Sequence, residues 1–158
     1  MIHIHFSEEL LPLPDLTPWI EKIAERSLKI LNIADPADFS IELGTDEEIR
    51  ALNRDYLGFD KPTDVLSFPS GGEKDPETGV DYLGDIFISY SRASDQAAKA
   101  GHSLEAEIGL LTIHGILHLF GHDHANDHEK KLMWELQEKI LNSLNIHLAI
   151  KPGEDVHE

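Results

Sequence analysis

Three histidines in the run His114-Gly-Ile-Leu-His118-Leu-Phe-Gly121-His-Asp-His124 have the residue type and spacing to build a metal site. Positions four apart on an α-helix project from one face about one turn apart, so His114 and His118 can present two imidazoles to one ion. Gly121, three residues on, can take the φ > 0 conformation that ends a helix. The chain then bends back so that His124 reaches the same ion from the side. Three neutral imidazoles suit one zinc ion per chain, or another first-row transition metal, and leave a fourth position for water, as a catalytic site does. His122 lies between the turn and the third ligand, and both it and His128 read as bystanders. His3, His5, His102, His147 and His157 have no partner spacing and read as surface residues.

The spacing is that of the metzincin proteases with one change: the Glu that follows the first His there is Gly115 here. In those enzymes the Glu is the general base for the metal-bound water. Gly115 cannot serve. A peptidase reading loses its base, while a reaction that needs only a metal-bound hydroxide, or a metal holding a phosphate oxygen, stays open.

The elements that must position this motif are read from periodicity. Ile2, Ile4 and Phe6 alternate with polar residues as a short strand, and Phe39, Ile41 and Leu43 repeat the pattern. Thr17-Pro18, a capping residue followed by proline, opens an amphipathic helix with Ile20, Ile23, Ala24, Leu28 and Leu31 inward. Thr45 to Glu48 is a capping box for a helix through about Tyr56. Asp64 to Phe68 is a strand, Pro69 to Asp81 a loop, and Leu83 to Ser89 a central strand with Ile86 and Ile88 on one face and Phe87 on the other. Ser91 to Ala100 and Ser103 to Phe120 are helices, the second carrying the histidines. Asn126 to Glu129 is a second capping box, for a last helix with Leu132, Leu136, Ile140 and Leu144 on its buried face. Strands and helices mix without strict alternation or repeat. The expected class is α+β: a small mixed sheet packed with helices, the metal helix near its centre.

Composition bounds the function. The 158 residues make one domain, 1–158, with a frayed acidic tail from about Ala149. The absence of cysteine excludes disulfides and thiolate metal sites and makes a cytoplasmic protein the default. No apolar stretch approaches a membrane span. A formal net charge of −17 argues against a protein coated for general nucleic-acid binding, DNA included, yet a local cationic cleft with a metal can still hold a phosphate.

A second polar constellation, Asn53-Arg-Asp-Tyr-Leu-Gly-Phe-Asp-Lys-Pro-Thr-Asp-Val-Leu-Ser-Phe-Pro69, precedes an apolar strand. This run, with Gly84-Asp85-Ile86 and the three-His motif, resembles the bacterial YbeY family of metal-dependent, single-strand-specific endoribonucleases, over roughly residues 49 to 128. The resemblance implies a metal, usually assigned as zinc, held by His114, His118 and His124. The substrate it implies is single-stranded rRNA precursor, with a role in maturing the 16S 3′ end and in quality control on the ribosome or its small subunit. The family usually has Arg directly after the tyrosine, where this chain has Leu57, so either phosphate binding falls to another cation or activity is weaker. Arg54 and Lys61 are nearest, with Arg92 further off. The family's usual Tyr in the turn is His122. Asp85 is a candidate to orient a ligand histidine. The candidate catalytic set is then His114, Arg54, Lys61 and Asp85. Competing readings are a metallohydrolase acting on another substrate, such as peptides, and a ribosome assembly factor with a structural metal.

Overall fold

The computed structural model describes residues 2–10, 14–33, 37–72, 74, 76–77 and 79–148. The tail from Ala149, with His157, lies outside the described residues. Four strands, β1 (Ile2–Phe6), β2 (Asp38–Gly44), β3 (Val65–Pro69) and β4 (Tyr82–Ser89), form one sheet in the order β1-β2-β4-β3. β1 and β2 run parallel, with Ile2, Ile4 and Phe6 beside Phe39, Ile41 and Leu43, and the intervening α1 (Thr17–Ile30) supplies the crossover that parallel pairing requires. β2 is also parallel to β4, whereas β3 returns antiparallel at the edge. The sheet is therefore mixed and the class α+β, with β4 inside it as the sequence implies.

Alternation divides the sheet into two faces. Phe39, Ile41, Leu43, Ile86 and Ile88 are buried on one face, beneath α1 and α4 (Leu104–Leu119). Ser40, Glu42, Asp85 and Phe87, registered beside one another, lie on the other. α3 (Tyr90–Ala100) and α5 (Asp127–Ser143) flank α4. α4 is apolar nearly all round, as a central helix must be. Between Ala106 and Leu119 only His114 and His118 escape full burial.

Local signals hold with three adjustments. The Thr45–Glu48 box is formed in both directions and opens α2 (Asp46–Leu52), but the chain then widens into a π-helical turn at Asn53–Leu57, ended by Gly58. α1 begins at Thr17 rather than after it: Leu16 holds the cap position, and the Thr17 amide donates to Asp15 Oδ1 at 3.0 Å. On α5, Asn126 accepts from the Glu129 amide at 2.9 Å, but the buried residues are Met133, Gln137, Ile140 and Leu141, and Leu132 is exposed. The inward face is thus rotated by about one residue from the leucine stripe. It includes a glutamine.

Candidate metal centre and cleft

α4 begins at Ser103, whose hydroxyl accepts from the Ala106 amide at 3.1 Å, and it ends in a Schellman turn. The Gly121 amide donates to His118 O at 3.0 Å and the His122 amide to Leu117 O at 2.9 Å, with Gly121 at φ +90°. A left-handed conformation at this point favours glycine. It reverses the chain so that His124 comes back beside the helix. The three imidazoles then converge: ring centroids lie 4.5 Å (His114–His118), 5.2 Å (His118–His124) and 5.8 Å (His114–His124) apart. One ligand nitrogen from each lies within 4.8 Å of the others. His122 and His128 are outside this group.

The donor set suits a transition metal. Buried Gln137 places Oε1 2.9 Å from His114 Nδ1. An amide oxygen only accepts, so Nδ1 carries the proton and Nε2 keeps its lone pair. That Nε2 lies 3.0 Å from His118 Nε2. Burial, and next the neighbouring His114 and His124, push the His118 pKa down to about 4, which keeps it neutral and ready to coordinate at pH 7. His124 is exposed, so the cluster opens to solvent on its side.

Gly115 has a structural role as well. A Cβ there would stand 2.6 Å from Ile86 Cγ2 and 3.4 Å from Val65 Cγ2, and its carbonyl accepts from Ser67 Oγ at 2.9 Å. The position that carries the protease base is pressed onto the sheet. A glutamate could neither fit there nor reach a metal-bound water.

The other expected site residues separate. Asp85 is on the sheet face opposite α4, hydrogen-bonded by the Tyr82 hydroxyl, whose pKa burial and this bond push up to about 12. It does not orient a ligand histidine. Gln137, 23 residues beyond His114 and on another helix, holds that position instead. Arg54 pairs with its neighbour Asp55 at 2.9 Å on the surface. Lys61 and Arg92 instead line a cleft of ≈ 490 Å³ together with Asn53, Phe59, Asp64 and Gln96. Arg92 is gripped in a fork by Asp46, at 3.0 and 3.1 Å, which lowers that carboxyl's pKa. Leu57 is 49% exposed and fills no core position. His102, expected at the surface, has a buried ring 2.6 Å from Glu107 Oε1, and His3 pairs with Asp38 at 2.8 Å.

The family model described as Endoribonuclease YbeY matches residues 3–145. The chain belongs to the YbeY family. The endoribonuclease YbeY of Acholeplasma laidlawii is 45% identical over 82% of this chain and 90% of that protein. That of Geobacillus kaustophilus is 42% identical over 89% and 94%. Among solved structures, the solution structure of TM1509 from Thermotoga maritima matches with a TM-score of 0.60 at 29% identity, over 92% of each chain. The YbeY resemblance carried by the sequence motifs thus extends over nearly the whole length.

Proposed function

We propose that this protein is a metal-dependent endoribonuclease of rRNA processing, acting as a single cytoplasmic domain. Its substrate is single-stranded rRNA precursor on or near the small ribosomal subunit, and its reaction includes maturation of the 16S 3′ end. One zinc ion is held by His114, His118 and His124. The observation that carries this reading is the convergence of three imidazoles, one fixed by Gln137 with Nε2 unprotonated, at the only polar opening along α4 between Ala106 and Leu119. Naming of the relatives as endoribonucleases supports the same reading.

An ion bound there supplies Lewis-acid stabilisation of the charge that develops on a phosphodiester during cleavage. The remaining work belongs to side chains of this chain. Gln137 holds the His114 proton at Nδ1, and Lys61 offers positive charge to RNA phosphates entering the cleft, whose other lining cation, Arg92, is paired with Asp46. The exposure of His124 favours a working centre over a closed structural one. Contact of Gly115 with Ile86 weighs against peptidase chemistry.

The test incubates metal-loaded wild type, and a His114→Ala protein purified in parallel, with a single-stranded RNA and with casein. Cleavage of RNA by wild type alone is expected. Equal cutting by both proteins would expose a contaminating ribonuclease, and cutting of casein would move the function to peptides. Neither substrate cut, despite co-sedimentation with ribosomes, would favour an assembly factor.

A further inference from the structure

The cleft lined by Phe59, Lys61, Asp64 and Gln96 is built around a loop held in one conformation. Buried Asn53 donates from Nδ2 to Lys61 O at 2.9 Å, and its own carbonyl accepts from the Phe59 amide at 3.3 Å. These bonds hold Phe59, 58% exposed, at the rim, with Lys61 Nζ 5.7 Å from its ring centroid. An exposed phenyl ring is a poor choice for a solvated turn. Lys61 makes no ion pair among the described residues, although the chain carries a net charge of −17.

The inner wall is set by Gln96. Its Nε2 donates both to Asp64 Oδ2 at 3.3 Å and to Glu107 Oε2 at 3.0 Å. Two carboxylates demand the amino end of the amide, so its orientation is fixed and Oε1 is left as an acceptor in the cleft wall. Glu107, the partner of Gln96, is on the same helix as the metal centre. His114 and His118, seven and eleven residues further along α4, share its helix face, and seven residues span about 10 Å.

We propose that this cleft is a nucleobase subsite, occupied by a base of the same strand whose backbone reaches the histidine cluster. The base stacks on Phe59 and donates from an exocyclic amino group to Gln96 Oε1, while Lys61 meets its phosphate. Adenine, cytosine and guanine carry an exocyclic amino group, and uracil does not. The proposal rests on the RNA-cleaving reading. RNA fits better than a protein partner because one ligand then satisfies all three features: a flat π-face for the ring, a donor for the amide oxygen and an anion for the lysine.

The test is fluorescence anisotropy of the metal-loaded protein at low temperature with labelled oligoadenylate and oligouridylate, the RNA checked on a gel for integrity. Oligoadenylate is expected to bind more tightly than oligouridylate. Phe59→Ala should weaken its binding about tenfold, equivalent to about 1.4 kcal/mol and within the range of one base stacked on an aromatic ring. Phe59→Trp should retain it. Gln96→Leu, once a melt shows it folded, should erase the preference for adenine. Normal oligoadenylate binding by Phe59→Ala overturns the subsite and leaves the ribonuclease reading standing. Failure of wild type to bind either oligomer overturns both. A Phe59→Ala protein that binds RNA normally but no longer sediments with small ribosomal subunits assigns the ring to a protein partner, and the proposal falls.

Discussion

Replacing Gln137 by Leu should separate metal affinity from folding. The side chain is 4% exposed and lies on the same buried face as Met133, Ile140 and Leu141, so a leucine of similar volume has apolar neighbours on arrival. What it removes is the acceptor 2.9 Å from His114 Nδ1. Without it the His114 proton can sit on either nitrogen and the ring can turn. Loss of such an outer-shell partner typically weakens metal binding 10- to 100-fold, or about 1.4 to 2.7 kcal/mol. The half-buried His114 can replace the lost bond with water, so the melting temperature of the metal-free protein should change little. Gln137→Glu should move affinity the other way, because a carboxylate raises the basicity of the ring it holds. Competition with a chromogenic chelator near pH 7.5 reads both variants. Affinities within about twofold of wild type for both would refute the positioning role.

Three further outcomes follow from the geometry. Gly115→Ala places a methyl 2.6 Å from Ile86 Cγ2, and an overpacking cost of about 1–3 kcal/mol exceeds the ~1 kcal/mol helix gain of alanine, so a melt should show a loss of a few degrees. A melting temperature at or above wild type would show that the sheet yields. Leu57→Arg, at a position 49% exposed, should leave stability within about 0.5 kcal/mol and raise RNA cleavage roughly tenfold through a charge-assisted phosphate contact; an unchanged rate retires that role for the position. His118 predicts the pH response of the metal-free protein: between about 6.5 and about 4 the unfolded chain binds a proton there that the folded one refuses. Stability should therefore be insensitive to this group above pH 7 and fall by up to about 3 kcal/mol as pH drops through that window. Denaturant titrations should show a shallower fall for His118→Asn, and parallel curves would contradict the assignment.

The parts of the site that lie along one helix were legible in the sequence, because helical spacing and a glycine stop are local rules. His114, His118, Gly121 and His124 needed nothing else. Gln137 was not legible, since a polar residue on an amphipathic helix ordinarily marks the wet face, and only packing of α5 on α4 turns it inward. The same packing rotates the α5 interface from Leu132 to Met133. His102 was misread because its partner Glu107 lies across the junction between α3 and α4, where Gly101 at φ +80° folds one helix end against the next. Asp85 could have been placed correctly: it alternates with Ile86, and the apolar residue of such a pair is the one that faces a buried helix.

The seat of Gly115 on Ile86 bears on how catalytic repertoires diverge from a shared ligand pattern. A His-x3-His helix can present its metal at any rotation about its own axis, and that rotation decides which neighbouring position looks at the ion and which looks at the scaffold. Here the residue after the first histidine looks at the scaffold. Grafting a glutamate at Gly115 to recreate a peptidase motif would thus install the right letters in a place that chemistry cannot use. A base for this centre would have to be engineered from the solvent side near His124, or from a residue outside α4 altogether. Motif-level redesign of such helices must specify the phase of the helix on its sheet before it specifies the residue.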